Sequence, residues 1–234
     1  MRIDVPALGV DGGERGLLLL QAWLSPAFPV GGYAYSHGLE AAVEAGIVRD
    51  RADLMRWIDG ILRFGAGRND ALLIREAHRQ VTAGEDIHEL TAFAAAFRGT
   101  SELALEAGAQ GAAFLKALRA GWPDIASAPQ LQEMRTPTYA VCFGAAAALA
   151  GIAARWAMLS YLQAFLGNLV SAALRLMPIG QSDGLVALAT LSERLPERVD
   201  QYALTPFEDI GSATLVVDLM SARHETQYTR LFRS

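Results

Sequence analysis

The sequence predicts an all-α protein, a bundle of about nine or ten helices. Three observations support this fold class. Apolar residues recur at helical spacing along most of the 234 residues, the apolar fraction of 52% is rich in alanine, and no run alternates apolar and polar residues as a half-buried strand would. The length suits one all-helical domain over residues 1–234, with residues 1–12 and 224–234 expected to be flexible without partners.

Helix boundaries in the first half follow from proline, glycine and capping residues. Pro26 ends the first helix, because proline disfavours helical backbone in the residue before it. Ser36 is predicted to cap the second helix, and Asp50 with Asp53 predicts the start of the third. The predicted helices cover residues 17–24, 36–46, 86–97 and 101–119, with two more beginning at Asp50 and Asn69.

The second half opens on the longest irregular stretch of the chain, residues 121–136. This stretch has little periodicity and is predicted to be a mobile loop or a boundary between two halves of the chain. Pro137 is then expected in the first turn of the next helix, where its missing N–H costs nothing. The remaining predicted helices cover residues 139–150, 153–177, 182–195 and 208–223.

Composition narrows the classes of function. A formal net charge of −5, with clustered arginines only near residue 230, argues against nucleic-acid binding. The single cysteine, Cys142, excludes an intrachain disulfide, and no secretory signal pattern opens the chain, so a cytoplasmic location is expected. Residues 156–174 are uncharged and long enough to span a membrane, but polar side chains recur along them, which favours a buried helix over a span.

Motifs for catalysis are missing from the sequence. His88-Glu89 and His224-Glu225 lack the second histidine of a zinc hydrolase, and Gly31-Gly32 lacks the length and the lysine of a phosphate-binding loop. His37 and His78 stand alone and are interpreted as structural histidines. The acidic pairs Asp50-Asp53 and Glu85-Asp86 are interpreted as helix caps. We therefore expect no catalytic residue, no metal ligand and no enzyme activity.

One polar seam runs along the helix predicted over residues 153–177. Its members are three or four residues apart and therefore share one face of the helix. They are Ser160, Gln163 or Ala164, Gly167 or Asn168, Ser171 and Arg175. The seam is either a narrow solvent face, or a subunit contact or water-filled channel.

Two further segments have the composition of partner-binding surface. Residues 25–40 (SPAFPVGGYAYSHGLE) form an aromatic turn rich in glycine and proline. Residues 223–234 (RHETQYTRLFRS) alternate aromatic or apolar groups with arginine, and tyrosine and arginine are enriched at interface hot spots.

These segments resemble the urease accessory protein F (UreF) family. Residues 25–40 resemble its N-terminal signature, residues 173–181 (ALRLMPIGQ) its central one, and residues 224–234 its C-terminus. Residues 102–115 also fit. Thr138 stands where the family often has histidine, which argues against direct nickel binding at that turn.

The resemblance implies a homodimeric chaperone that is not itself an enzyme. Its implied partners are UreD (also called UreH), the GTPase UreG and the urease apoprotein, with no nucleic acid and no membrane. The complex would deliver nickel to the urease metallocentre with GTP. Nickel would pass through the complex, while this chain binds no cofactor tightly. The alternative is a helical metal-dependent enzyme acting on a diphosphate, which would need paired acidic runs that the sequence lacks.

Two sets of residues carry the implied partner contacts. The first shapes the N-terminal turn and the tail on the side of UreD. It comprises Pro29, Gly31, Gly32, Tyr35, Ser36, Tyr228, Arg230, Phe232 and Arg233. The second, on the dimer or GTPase side, comprises Arg175, Pro178, Gly180 and Gln181.

Overall fold

A computed structural model describes residues 13–234 as helices and connecting turns, with no strand in that range, and so confirms the all-α prediction. The first helices are α1 Gly13–Trp23, α2 Leu39–Glu44, α3 Arg51–Phe64, α4 Ala66–Thr82, α5 His88–Ala96 and α6 Ser101–Gly121. They are followed by α7 Pro123–Ala126, α8 Pro129–Gln132, α9 Tyr139–Leu149, α10 Ala154–Leu176, α11 Gln181–Ser192, α12 Leu195–Leu204 and α13 Leu215–His224. Short 3₁₀ turns cover Gly32–Ala34 and Phe207–Asp209.

Helix α9 lies at the centre of the molecule and is buried on nearly every side. Eight consecutive residues, from Ala140 to Ala147, are buried, and most of them are small. The small side chains let α9 approach α4 very closely: a Cβ added at Gly144 would lie 2.5 Å from the backbone oxygen of Ile74. Helix α6 packs on α9 in a similar way, with Gly111 against the backbone of Pro137. The alanine-rich composition therefore serves close helix packing.

An aromatic cluster fastens α1 to this core. Trp23 is fully buried and meets Phe114 and Trp122 edge-on, with ring centroids 5.9 Å apart in each case. Phe143 of α9 stands 6.3 Å away in the same arrangement. Edge-to-face geometry is favourable because the positive edge of one ring faces the negative face of the other. Trp23 thereby joins α1 to α6 and α9.

Trp23→Ala is expected to lower the free energy of unfolding by about 3–5 kcal/mol, because it empties this cluster and leaves a cavity. Urea denaturation followed by circular dichroism measures the change. Leu18→Ala on the exposed side of the same helix is the control and should shift the midpoint little. Equal shifts for the two variants would contradict the role given to the cluster.

Several predicted boundaries need correction. Ser36 is not the N-cap residue of α2, which is Gly38, but lies two residues before it. Its hydroxyl oxygen still accepts a hydrogen bond from the Glu40 amide in the first turn of α2, at 3.3 Å. Asn69 lies inside the first turn of α4 instead of opening it, and its side-chain oxygen accepts a hydrogen bond from the Gly211 amide. Pro137 precedes Thr138, the N-cap of α9, and so lies outside the first turn.

The connection between α6 and α9 is more structured than the sequence suggested. Residues 121–136 contain the short helices α7 and α8, each with proline in its first turn, and the apolar side chains of Ile125 and Leu131 are buried. Helix α12 was not predicted from the sequence. By contrast, Asp50 caps α3 as predicted, accepting a hydrogen bond of 2.8 Å from the Asp53 amide.

Helix α10 is long and apolar enough to cross a membrane by length and composition alone. Half of its most apolar stretch is buried against the rest of the protein, chiefly against α4, α9, α11 and α12. That burial is typical of a core helix. The predictions made for residues 1–12 lie outside the described residues.

Candidate partner-docking site

The N-terminal turn is built from backbone conformations that favour glycine. Gly31 and Gly38 have φ angles of 73° and 70°, and His37 between them has a φ of 55°. A non-glycine residue at positive φ is uncommon and needs support from its surroundings. The 3₁₀ turn Gly32–Ala34 lies between these positions. Of the two glycines predicted to shape the turn, Gly31 has such a conformation and Gly32 does not, while Gly38 was not among the predicted residues.

Gly38 also brings the turn against helix α13. A Cβ added at Gly38 would lie 2.9 Å from the Ser221 amide nitrogen and 3.1 Å from the Val217 backbone oxygen. Only glycine leaves room for this approach. The end of the turn and the last helix are thus in direct backbone contact.

The tail, residues 225–234, runs beside the turn. The Arg233 amide donates to the Ala34 carbonyl at 2.8 Å. The Ser36 amide and hydroxyl both donate to the Ser234 carbonyl, at 2.7 and 2.5 Å. Turn and tail therefore form one composite surface, termed here the turn–tail surface. The prediction that residues 224–234 are flexible without a partner stays a prediction; in this structure Phe232 and Ser234 are buried, while Tyr228 and Leu231 are exposed.

Three buried glutamates hold the tail in place. Glu40 of α2 accepts hydrogen bonds from the amides of Leu231 and Phe232, at 2.7 and 2.9 Å. Glu102 of α6 pairs with Arg230 at 2.9 Å. One helical turn further on, Glu106 accepts from the Ser234 hydroxyl at 2.8 Å. Charged acceptors make these hydrogen bonds stronger than neutral ones.

Both buried histidines of this region also face these carboxylates. His37 Nδ1 lies 3.2 Å from Glu106, and His224 lies between Glu40 and Glu102. Burial lowers the pKa of His37, but the neighbouring Glu106 charge and hydrogen bond outweigh it, so the pKa is raised overall. Protonated His37 therefore stabilises the fold, and this contribution is lost as the pH rises through the raised pKa.

Arg175 joins the two predicted sets of residues. Its guanidinium donates to the Tyr33 carbonyl at 2.5 Å and lies over the Phe232 ring, 4.1 Å from the centroid. Arg175 was assigned to the dimer or GTPase side, but the structure places it against the turn and the tail. Phe232 is buried beneath it. This cation–π contact fixes the tail against α10.

The other residues of the second set lie in the bend between α10 and α11. Gly180 is the N-cap of α11, and Pro178 and Gln181 are exposed. The next turn of α11 presents Leu185 and Val186 to solvent. This bend, at the C-terminal end of α10, is therefore a second accessible surface.

The polar seam of α10 is accessible at several points along its length. Gln163, Asn168 and Ser171 are exposed. Near one end the seam borders an apolar groove of about 550 Å³ between α1 and α10, and further along Asn168 lies against Gly32 of the turn. The seam is therefore surface in the single chain, open to solvent or to a second subunit.

The turn–tail surface exposes apolar and aromatic side chains. Tyr228 is fully exposed, Tyr33 is 68% exposed and Leu231 is 60% exposed. Tyr35 and Ser36 are buried and Pro29 is exposed. Large apolar side chains on a backbone fixed by buried hydrogen bonds are typical of interface anchors.

A cavity of about 310 Å³ lies behind the turn. Its polar wall includes Arg98, which pairs with Asp70 at 2.8 Å, while the Tyr161 hydroxyl donates to the same carboxylate at 2.8 Å. The Arg98 Nε finds no hydrogen-bond partner among residues 13–234. Burial, followed by the Asp70 charge, raises the pKa of Tyr161 well above its ordinary value. The cavity is polar enough to hold water.

Side chains that could take part in catalysis or bind a metal, such as Cys142 and His78, have structural roles. Over residues 13–234, no three His, Cys, Asp or Glu side chains are grouped so that they could hold a metal ion. Cys142 is buried, and burial raises the pKa of its thiol, which keeps it protonated and unreactive. His78 bonds the Ile152 carbonyl at 2.7 Å, as expected of a structural histidine. This geometry gives no support to the diphosphate-enzyme alternative.

Comparison with known proteins decides the family. The UreF family model matches residues 48–192. The chain is 45% identical over 225 residues to the urease accessory protein UreF of Granulibacter bethesdensis, with 95% of each chain covered. This chain belongs to the UreF family. It is also 44% identical to UreF of Mesorhizobium japonicum and 46% identical to UreF of Methylorubrum populi, over 93% of this chain and 96% and 98% of theirs.

These comparisons confirm the family named from the sequence motifs. The matched range of the UreF model, residues 48–192, includes α10 and α11 but not the turn or the tail. Sequence reasoning missed Glu40, Glu102, Glu106 and His224 as a group. The available signals were the four-residue spacing of Glu102 and Glu106 and their apolar neighbours Leu103 and Ala107, which indicate a buried helix face.

Proposed function

We propose that this UreF-family chain is a chaperone for urease maturation, acting as a homodimeric scaffold in the cytoplasm. In this role it links UreD (UreH) to the GTPase UreG, and the complex inserts nickel into the urease apoprotein with GTP. Nickel passes through the complex as cargo, and this chain binds no tight cofactor, no nucleic acid and no membrane. The names of its relatives, all urease accessory proteins, support the role.

The turn–tail surface is proposed to bind UreD. Ser36 donates to the Ser234 carbonyl and Glu40 accepts from the amides of Leu231 and Phe232, and these bonds fix the backbone of the surface. The side chains of Tyr33, Tyr228 and Leu231 stay exposed. A preorganised surface loses little conformational entropy on binding, so its exposed anchors contribute more fully to affinity. We assign Pro29, Gly31, Gly32, Tyr35, Ser36, Tyr228, Arg230, Phe232 and Arg233 to this contact.

The bend between α10 and α11 is proposed as the dimer or GTPase side. Pro178 and Gln181 are exposed there beside the apolar side chains Leu185 and Val186. An apolar centre with polar neighbours is typical of protein interfaces. Pro178, Gly180 and Gln181 keep this assignment, while Arg175 lies between the two surfaces and contacts the turn.

A role without catalysis fits the chemistry of the chain. The carboxylates and histidines of the turn–tail region are occupied in holding the tail. The thiol of Cys142 is buried. Binding is therefore the activity that the described side chains support best.

Tyr228→Ala is expected to weaken capture of UreD by about thirtyfold or more, the loss typical of an aromatic hot spot. The fold should be unaffected because the Tyr228 side chain is fully exposed. Tagged UreD, co-expressed with each variant and recovered by affinity chromatography, measures the loss.

Leu204→Ala is the control for that experiment. Leu204 is 86% exposed but lies at the end of α12, away from the turn and the tail. It should leave capture unchanged. Full capture by Tyr228→Ala would remove the tail from the interface, and capture lost equally in both variants would mean a general effect on folding or expression.

A further inference from the structure

His224 lies between two carboxylates, and a neutral histidine side chain cannot donate a hydrogen bond to both of them. It is fully buried, with Nδ1 2.8 Å from a Glu102 oxygen and Nε2 3.0 Å from a Glu40 oxygen. A neutral imidazole carries one N–H, so only one of its nitrogens can donate. The other nitrogen would then present its lone pair to a carboxylate oxygen at hydrogen-bond distance.

Both carboxylates also accept hydrogen bonds from other donors, which makes the ring the best place for the extra proton. Glu40 accepts the amides of Leu231 and Phe232, and Glu102 accepts the Arg230 guanidinium. Hydrogen bonds and positive charge favour the ionised form of a carboxyl group. An imidazolium, with two N–H donors, satisfies every atom of the cluster.

We propose that His224 is an imidazolium held between Glu40 and Glu102, and that this buried proton positions the tail for partner docking. Loss of the proton leaves one nitrogen facing a carboxylate without a hydrogen, and the tail is released from α2 and α6. The docking part of this statement rests on the function proposed above, whereas the proton and the tail can be examined on the isolated chain.

Other charged groups surround the cluster and contribute to any pH dependence. From α6 and the turn, Glu106 and His37 form a second pair, linked to the tail through the Ser234 hydroxyl. From α13 itself, burial raises the pKa of Asp218, whose carboxylate lies beside Gly99. Arg230 faces Glu102 from the tail. A variant that removes only the His224 requirement is therefore needed.

Glu102→Gln is that variant. The amide oxygen of glutamine can still accept from Arg230, and its NH₂ can donate to His224 Nδ1. A neutral ring then donates from Nε2 to Glu40, whose contacts with the tail amides remain. The tail stays in place in E102Q without a bound proton. Glu225→Gln is the matched control, because Glu225 is exposed, accepts a hydrogen bond from the Ser101 hydroxyl and lies outside the cluster.

The test is hydrogen–deuterium exchange of a peptide covering residues 226–234, from pH 6.5 to 9.5, in the isolated protein. Each rate is divided by the intrinsic exchange rate at that pH. In the released tail an exposed imidazole has a pKa of about 6.5, so above that value opening releases one proton. Protection of the unsubstituted chain and of E225Q should then fall by up to about tenfold per pH unit.

E102Q should show a clearly flatter profile than either. Parallel profiles for E102Q and the unsubstituted chain would overturn the proposal. Should E102Q lose its helical circular dichroism signal, ¹⁵N NMR of the His224 ring in the unsubstituted chain at pH 7.5 decides. Two protonated ring nitrogens support the proposal and one overturns it. Neither measurement involves UreD, so a result that overturns the His224 proposal is distinct from a failure of the proposed function.

Discussion

Gly38→Ala should lower the free energy of unfolding by roughly 2–5 kcal/mol and loosen α13 together with the tail. Two costs combine. The φ of 70° is unfavourable for alanine, and the added Cβ would lie 2.9 Å from the Ser221 amide nitrogen, in the backbone of α13, which cannot move aside cheaply. Urea denaturation measures the stability, and proteolysis after Arg230 measures release of the tail.

Gly46→Ala separates the two costs. Gly46 has the same φ of 70°, but no atom of residues 13–234 would lie within 4 Å of the added Cβ. It should lose only about 1–2 kcal/mol, for the backbone alone. Proteolysis of its tail should match that of the unsubstituted chain. If the two variants were equally unstable, the close approach of the turn to α13 would carry no energetic weight.

Gly144→Ala should destabilise the protein by about 3 kcal/mol or more, because overpacking here forces two backbones apart. The added Cβ would lie 2.5 Å from the oxygen and 2.8 Å from the Cα of Ile74, both in the middle of α4. Separation of α4 and α9 would disturb the centre of the core. The midpoint of thermal unfolding, followed by circular dichroism, should fall sharply.

Gly60→Ala provides a comparison with the opposite sign. Gly60 lies inside α3, and in the described part of the chain no atom would lie within 4 Å of its added Cβ. Alanine is a better helix former than glycine, so this variant should gain about 0.5–1 kcal/mol. A gain at Gly60 with a large loss at Gly144 would show that packing, and not helix propensity, decides the effect at Gly144. A gain at both positions would contradict the close packing of α4 and α9.

Most of the fold could be predicted from local signals. Asp50 caps α3 because its side chain reaches the Asp53 amide, and that spacing is visible in the sequence. Helix α12 escaped prediction because it begins at Leu195, where the preceding helix was expected to end, and carries Pro196 in its first turn. Proline is tolerated in the first turn of a helix, so Pro196 does not prevent α12 from forming. The Ser36 hydroxyl does accept from the Glu40 amide, but Gly38 is the N-cap residue, and the same hydroxyl donates to the distant Ser234, a contact that no local signal indicates.

The candidate site could be predicted only in its exposed parts. The turn and the tail were recognised from their aromatic, glycine and arginine content. The cluster that joins them was not, because Glu40 and His224 are 184 positions apart and nothing local in the sequence pairs them. A buried glutamate reads in a sequence as a surface charge unless its partners are known. Tertiary contacts alone reveal that Glu40 holds the tail.

The hydrogen bonds between Ser36 and Ser234 span 198 positions of the chain. A ribosome translates Ser36 before helices α2–α13 and reaches Ser234 only after all of them. A nascent or prematurely terminated polypeptide would thus contain the aromatic turn without the tail that holds it in place. A partner protein that binds the turn and the tail together would therefore bind only chains whose translation has passed Ser234.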